Sequence, residues 1–208
     1  MTTLLILILI LLAYLTGSIP FGLLLAKTQG KDIRTLGSGN IGATNVLRCL
    51  GKPLGITCFV LDVLKGYLPA ALFPIIGTGS AGLQENFPSI GILFGTAAIL
   101  GHNFPVFLNF KGGKGVATSA GVLLGVAPLA VLIGILTWAV VFFASGYVSL
   151  GSIIASIVVI LTGWVAGYSL VTASALTLLG ILSIYRHRSN IQRLIAGTEN
   201  KFQKKVKS

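Results

Sequence analysis

The sequence predicts an all-α integral membrane protein, a polytopic bundle of transmembrane helices. Of its 208 residues, 54% are hydrophobic and only 9% are charged. A soluble domain carries about 25% charged residues, so the outer surface of this chain must face lipid. Near-continuous apolar sequence to about position 185 supports the same conclusion. Because no basic residues precede the apolar segment 4–12, we interpret it as the start of the first membrane helix and not as a cleaved signal peptide.

The predicted helices are apolar stretches of about 20 residues, the length that crosses a bilayer. The first three are Thr3–Ala26, Pro53–Ile76 and Pro88–Asn103. The apolar run Val116–Tyr185 is too long for two helices, whereas four of about 17 residues fit it, with breaks near 128–134, 145–151 and 163–169. The sequence therefore predicts seven transmembrane helices, with five as the alternative, in a single domain spanning 1–208.

The distribution of positive charge predicts the orientation in the membrane. The net charge is +11, and Lys and Arg concentrate in segments 27–52, 111–114 and 186–208, whereas the connector 77–87 has none. Short basic loops stay cytoplasmic, so we expect the N-terminus outside and the C-terminus in the cytoplasm. This bias explains the charge without nucleic acid as a partner. Cys49 and Cys58 have no metal-ligand spacing, and we expect no metal site.

The first polar cluster is residues 37–48, Gly-Ser-Gly-Asn-Ile-Gly-Ala-Thr-Asn-Val-Leu-Arg, called the first loop below. Its three glycines permit backbone conformations that turn N–H groups toward an anion, and an arginine adds a forked cation. The alternative is a polar turn capping a helix that begins near Asn40, with Ser38 or Asn40 as N-cap. Both can hold, since a helix N-terminus binds anions. The candidate ligands are Ser38, Gly39, Asn40, Thr44, Asn45 and Arg48.

The second polar cluster is residues 110–118, Phe-Lys-Gly-Gly-Lys-Gly-Val-Ala-Thr, called the second loop. Two lysines flank a glycine pair before an apolar helix, which predicts phosphate binding. The alternative is a basic cytoplasmic loop with flexible glycines. It is not a Walker A loop, because Gly115 follows Lys114 and Leu108 replaces the first glycine, so we expect no nucleotide. The candidate residues are Lys111, Gly112, Gly113, Lys114, Gly115 and Thr118.

The third polar cluster is residues 186–200, near the end of the chain. His187 lies between Arg186 and Arg188, which disfavour its protonation and leave a proton acceptor near neutral pH. The alternative is an interfacial basic helix that touches anionic lipid head groups. The candidate residues are His187, Asn190, Arg193 and Glu199.

Four polar residues lie in or beside the predicted spans. Asp62 and Lys65 are at i and i+3 of one helix and can pair; unpaired, each would cost about 2.5–3.5 kcal/mol at a helix centre. A structural ion pair is the leading interpretation, and a role beneath a phosphate site is the second. His102 and Asn103 either cap the third helix or reach the site. The sequence contains no Gly-x-Ser-x-Gly nucleophile elbow.

Five motifs together resemble one enzyme family over nearly the whole chain: residues 17–22, 37–48, 62–66, 101–118 and 190–199. The family is the bacterial acyl-phosphate:glycerol-3-phosphate acyltransferases (PlsY); Ile41 stands where many members carry proline. The resemblance implies transfer of a fatty acyl group from a long-chain acyl phosphate to the sn-1 hydroxyl of glycerol 3-phosphate. The products are lysophosphatidic acid and inorganic phosphate. It implies phospholipid biosynthesis in the inner membrane, a cytoplasmic active site and no cofactor.

The resemblance and the residue chemistry together suggest roles within one site at the membrane surface. An acyl phosphate is already activated, so the enzyme mainly positions its substrates and neutralises their charge. We assign catalytic roles to Ser38, Asn40, Lys114 and His187, with His187 or a substrate phosphate as the base. A transporter and a non-catalytic lipid-binding protein are the alternatives. A transporter usually shows repeated halves, and this sequence shows no internal repeat.

Overall fold

The computed structural model describes residues 3–78 and 83–202, and every regular element within them is helical. The all-α prediction is therefore confirmed. Contacts divide the chain into two compact units, Met1–Pro128 and Leu129–Ser208, which are described in turn. The centre of the predicted connector 77–87 and the lysines after 203 lie outside the described residues.

Six α-helices make up the first unit: α1 Thr3–Ser18, α2 Phe21–Lys27, α3 Ala43–Leu50, α4 Lys52–Thr78, α5 Leu83–Asn103 and α6 Val116–Val126. Helices α4 and α5 confirm the second and third predicted spans. Helix α4 packs against α5 and α6, and α1 packs against α5. A Cβ at Gly17 would overlap the carbonyl of Ala98, and one at Gly66 would overlap that of Thr118. Glycine therefore lets these helix backbones touch.

The first predicted span, Thr3–Ala26, is not one continuous helix. Helix α1 ends at Ser18, α2 begins at Phe21, and the two are bent by 41°. Pro20 lies at the break; it lacks an N–H group and disfavours helical geometry in the residue before it. The predicted span Thr3–Ala26 therefore consists of two helices, with the break at this proline.

The second unit contains α7 Pro128–Ser145 (from Leu129 on), α8 Val148–Val165, α9 Leu170–Arg186 and α10 Arg188–Ile195. Together with α6, the run Val116–Tyr185 therefore holds four helices, as the seven-helix prediction requires. The breaks fall at residues 127, 146–147 and 166–169, at or next to the predicted positions.

Length and composition make this an integral membrane protein. Within residues 3–78 and 83–202, four helices are long and apolar enough to cross a bilayer, and up to six spans result if each bent pair, α1 with α2 and α9 with α10, counts as one. Helix α6 has 11 residues, or about 16 Å, roughly half of the hydrocarbon thickness. Seven therefore stays a prediction for the number of membrane crossings.

Candidate active site

Asn45 holds the first loop in its conformation. Its side chain is buried, with 2% exposure, in the first turn of α3. The Nδ2 group donates to the carbonyl oxygens of Leu36 at 3.0 Å and Asn40 at 2.9 Å, and Oδ1 accepts from the Ser38 N–H at 3.0 Å. Because backbone groups take up the hydrogen-bonding atoms of this side-chain amide, Asn45 positions the loop. The sequence suggested instead that Asn45 contacts substrate.

The turn before α3 differs from the predicted cap. Helix α3 begins at Ala43 and its N-cap is Gly42, which has no side chain that could cap it. The alternative interpretation, a helix beginning near Asn40 with Ser38 or Asn40 as its N-cap, was therefore wrong. Asn40 instead accepts from the Gly42 N–H through Oδ1 at 2.8 Å. Gly37 and Gly39 have φ of 56° and 68°, the left-handed region that glycine adopts at little cost.

The outer side of the first loop carries Ser38, Thr44 and Arg48. Ser38 and Arg48 are exposed and Thr44 is half-buried. Thr44 and Arg48 are four residues apart and therefore share one face of α3. Ile41 points the other way, into a core cluster with Leu23. This burial explains how a branched apolar side chain fits at position 41.

An exposed ion pair precedes the first loop. Asp32 lies 2.6 Å from Arg34 and also accepts from the Arg34 N–H at 3.0 Å. These hydrogen bonds lower the pKa of Asp32 to about 2. The Arg34 charge is thus compensated locally.

The second loop is packed against the C-terminal end of α5. The Gly113 N–H donates to the His102 carbonyl at 3.1 Å. A Cβ at Gly112 would overlap that carbonyl, one at Gly113 would overlap His102 Nε2, and one at Gly115 would lie 2.7 Å from Asn103 Oδ1. A larger side chain would therefore not fit at any of these three glycines, which the sequence suggests as phosphate ligands. The Gly113 N–H is taken up by the His102 carbonyl, whereas Gly115 lies at the N-terminus of α6, a position that favours anion binding.

The polar side chains of the second loop differ in exposure. Lys111 is exposed and Lys114 is half-buried. Thr118 is fully buried at the contact of α6 with Gly66, so it packs between helices and does not line the loop surface. Asn103 Oδ1 and Thr118 Oγ1 are buried without a hydrogen-bond partner among the described residues. Both polar atoms lie close to the start of α6.

Asp62 and Lys65 form the predicted ion pair, with 2.7 Å between Asp62 Oδ1 and Lys65 Nζ. His102 Nδ1 lies 3.7 Å from the same carboxylate oxygen. Lys65 also donates to the Ile19 carbonyl at 2.8 Å, at the break between α1 and α2. All three charged or titratable side chains are buried. His102 thus connects the ion pair to the second loop.

The third cluster belongs to the second unit and is organised around Glu199. This buried carboxylate accepts hydrogen bonds from Ser149 Oγ, Asn190 Nδ2 and Arg193 Nε, each at 2.7 Å. Burial raises the pKa of Glu199, but these three hydrogen bonds outweigh burial and the pKa lies below its ordinary value. Glu199 was suggested as a phosphate ligand; as an ionised carboxylate with three donors, it instead holds Asn190 and Arg193 in place.

His187 connects α9 to α10 and is buried, with 2% exposure. Its Nδ1 lies 2.8 Å from the Ser183 carbonyl oxygen. A carbonyl only accepts, so Nδ1 carries the proton and the neutral ring has its lone pair on Nε2. This tautomer is the one that a proton-accepting Nε2 requires.

The chain matches the family model described as glycerol-3-phosphate acyltransferase over residues 7–197. The chain belongs to the glycerol-3-phosphate acyltransferase family. It is 47% identical over 196 residues to the glycerol-3-phosphate acyltransferase of Aquifex aeolicus, covering 94% of this chain and 98% of the relative. The enzyme of Macrococcus caseolyticus is 48% identical over 197 residues, covering 94% and 96%. The acyltransferase resemblance seen in the sequence is thereby confirmed.

Two solved structures of PlsY, an integral membrane glycerol 3-phosphate acyltransferase, are similar to this acyltransferase chain. The glycerol 3-phosphate form superimposes with a TM-score of 0.86, at 46% identity over 95% of this chain and 96% of the other. The lysophosphatidic acid form gives a TM-score of 0.84, at 46% identity over 95% of each chain. The similarity covers both units of the acyltransferase.

Sequence reasoning missed several supporting residues of this acyltransferase. Tyr14 donates to the Phe104 carbonyl at 2.7 Å and ties α1 to the segment before the second loop. Ser149 completes the environment of Glu199. Neither residue lies in a polar motif, so no local pattern indicated it. Lys65 was found by its charge, but its bond to Ile19 needed the tertiary structure.

Proposed function

We propose that this protein transfers a fatty acyl group from an acyl phosphate to the sn-1 hydroxyl of glycerol 3-phosphate. The products are lysophosphatidic acid and inorganic phosphate, and the reaction serves phospholipid biosynthesis. The observation that carries the proposal is the 46% identity, over 95% of the chain, with PlsY crystallised in its glycerol 3-phosphate form. We further propose that residues 1–208 act as one acyltransferase domain without a cofactor.

Chemistry within the first unit supports two phosphorylated substrates. Arg48 on the first loop and the two lysines of the second loop supply three cations, and α6 begins directly after Lys114 and Gly115. Arginine binds phosphate oxygens through a planar fork, and a helix N-terminus adds a partial positive charge. Ser38 and Asn40, on the same loop as Arg48, offer short polar groups suited to orienting a carbonyl or hydroxyl group.

The proposed reaction needs no covalent intermediate on the protein. The hydroxyl oxygen of glycerol 3-phosphate attacks the carbonyl carbon of the acyl phosphate, and the carbon–oxygen bond to phosphate breaks. The hydroxyl proton passes to His187 Nε2 or to a phosphate oxygen. Lys114 stabilises the negative charge that develops in the transition state. Asn190 and Arg193 add phosphate donors, held by Glu199.

Replacing His187 with Gln distinguishes the two candidate proton acceptors, His187 Nε2 and a substrate phosphate oxygen. Glutamine keeps a polar side chain of similar reach but cannot accept a proton near neutral pH. If His187 is the base, kcat should fall about 100-fold or more while the KM for glycerol 3-phosphate changes little, because binding does not need the base. Phosphate release from palmitoyl phosphate measures both constants. A kcat within a few-fold of wild type would instead assign the proton to the substrate phosphate.

Charge distribution supports a cytoplasmic active site in the inner membrane, with seven crossings, an external N-terminus and a cytoplasmic C-terminus. Both loops and the tail carry the excess of Lys and Arg, which favours the cytoplasmic side. Helix α6 would be the short seventh crossing. An impermeant thiol reagent tests this orientation on cells with Lys111→Cys: labelling only after the membrane is opened agrees with it, and labelling of intact spheroplasts refutes it.

Purified protein in lipid nanodiscs tests the proposed activity directly. With palmitoyl phosphate and glycerol 3-phosphate, we expect phosphate and lysophosphatidic acid in equal amounts. The Lys114→Ala variant, purified in parallel, should release about 100-fold less of each, which ties the activity to this chain. If neither product forms while labelled glycerol 3-phosphate crosses a sealed vesicle, the protein is a transporter and the proposal fails. Formation of product with acyl-CoA alone would overturn the proposed donor.

A further inference from the structure

A buried charged cluster lies between the two loops of the first unit. It comprises Asp62 and Lys65 on α4 and His102 on α5, with distances of 2.7 Å and 3.7 Å to the shared oxygen Asp62 Oδ1. Charges inside a bilayer are costly and rarely retained without a function. A buried ion pair also often stabilises a protein less than well-packed apolar side chains of similar volume. Stability alone is therefore a weak reason for this cluster.

One end of the cluster reaches the segment that supports the first loop. Lys65 Nζ donates to the Ile19 carbonyl at 2.8 Å and lies 5.5 Å from the ring centroid of Phe21. The next residue, Gly22, packs directly on the carbonyl of Ile41, which leaves no room for a Cβ. Ile41 is part of the first loop. Lys65 is therefore linked to the first loop through close contacts of the backbone at residues 19–22.

The other end of the cluster reaches the second loop. The His102 ring occupies the space in front of Gly113, where a Cβ would overlap Nε2. The His102 carbonyl accepts from the Gly113 N–H at 3.1 Å. Gly113 stands between the two lysines of that loop. The ring orientation of His102, which faces Asp62, therefore affects where the second loop lies.

We propose that Asp62, Lys65 and His102 are positioning residues that set the distance between the two phosphate-binding loops. The proposal deepens the proposed function, on which it rests for the identity of the ligands. The hydrogen bond from Lys65 to the Ile19 carbonyl is directional, and the ion pair with Asp62, which His102 approaches, links α4, α5 and the break at Ile19 at one point. An apolar contact of equal volume would allow the loops to slide relative to each other. None of the three residues needs to touch substrate for this role.

The charge-free double variant Asp62→Asn/Lys65→Met tests the role without leaving an isolated buried charge. Two nitroxide labels, at the exposed residues Thr35 and Lys111 in a Cys49→Ala background, report the distance between the loops by double electron–electron resonance. Buried Cys58 is shielded from the label. We expect the distance distribution of the double variant to shift or broaden. On unlabelled protein, the KM for glycerol 3-phosphate should rise about tenfold or more, as for other lost supporting contacts.

Phe94→Leu is the matched control for a purely structural effect. Phe94 is fully buried on α5, about 12 Å along the helix from His102, so its variant should lower the melting temperature without changing the loop distance or KM. If the double variant behaves like this control, with reduced stability and wild-type loop distance, the cluster only stabilises the fold and the proposal is wrong. A double variant that does not fold is replaced by His102→Gln, judged by the same two measurements.

These measurements separate the two proposals from each other. The distance between the loops is measured without catalytic turnover. The measurement therefore remains valid even if the wild-type protein makes no lysophosphatidic acid. Loss of product in the wild type refutes the proposed acyl transfer. A wild-type loop distance in the charge-free variant refutes the positioning role, whatever reaction the protein catalyses.

Discussion

Asn45→Ala is expected to remove at least 99% of the acyltransferase activity, although its side chain faces the loop backbone and not the outer surface. The substitution leaves the carbonyls of Leu36 and Asn40 and the N–H of Ser38 without their buried partner. Each unsatisfied buried group costs about 1–3 kcal/mol, so the loop would relax to another conformation. A displacement of about 1 Å in a positioning segment costs about 100-fold in rate. The measurement is kcat/KM for phosphate release.

Two variants make this prediction specific. Asn45→Asp has the same shape and keeps an acceptor for the Ser38 N–H, but it loses the two amide donors and places a carboxylate against carbonyl oxygens. It should therefore be as inactive as the alanine variant. Cys49→Ala, one turn later on the same helix face, removes only a weak contact to Asn45 Oδ1 at 3.6 Å and should stay within twofold of wild type. An active Asn45→Asp enzyme would show that the amide donors do not matter.

The sequence predicted the helical architecture well because lipid solvation constrains it strongly. Every backbone group in hydrocarbon must be satisfied within the chain, so long apolar segments become helices. Breaks near 128, 146 and 167 were readable from proline, glycine and polar residues. The break at Pro20 was missed because the flanking apolar residues outweighed a single proline in a composition count. The short length of α6 was not predicted, because the run Val116–Tyr185 was divided into four helices of about 17 residues.

The polar clusters were readable as a candidate site, but the tasks of individual residues were not. A motif shows which residue types occur together and not which way each side chain points. Asn45 and Glu199 carry polar groups that the sequence assigns to substrate as readily as Ser38 or Arg48. Only the tertiary structure shows that loop backbone surrounds Asn45 and that three donors surround Glu199. The glycines of the second loop likewise allow both close packing and unusual backbone conformations. The sequence predicts only the backbone conformations.

Glu199 and its donors make the second unit sensitive to loss of one carboxylate. In Glu199→Gln, the new amide presents N–H groups to a pocket that already contains donors from Asn190 and Arg193. Ser149 can rotate and Asn190 can flip its amide to accept, but Arg193 has no acceptor. We expect a loss of about 2–3 kcal/mol in the free energy of unfolding at pH 7, seen as a lower melting temperature. Ser149→Ala removes one donor and leaves the carboxylate its other two, so its effect should be smaller.

The pH dependence of that difference identifies the carboxylate as its cause. The pKa of Glu199 is lowered in the folded protein, so its contribution is fully present above the unfolded value of 4.5 and is lost as the pH falls through the folded value. Wild type and Glu199→Gln should therefore differ most at pH 7 and converge in melting temperature as the pH falls below about 4.5. Asp32, whose pKa is also lowered, is present in both proteins and cancels from the comparison. A difference that stays constant as the pH falls from 7 to well below 4.5 would mean that shape, and not the charge of Glu199, stabilises this unit.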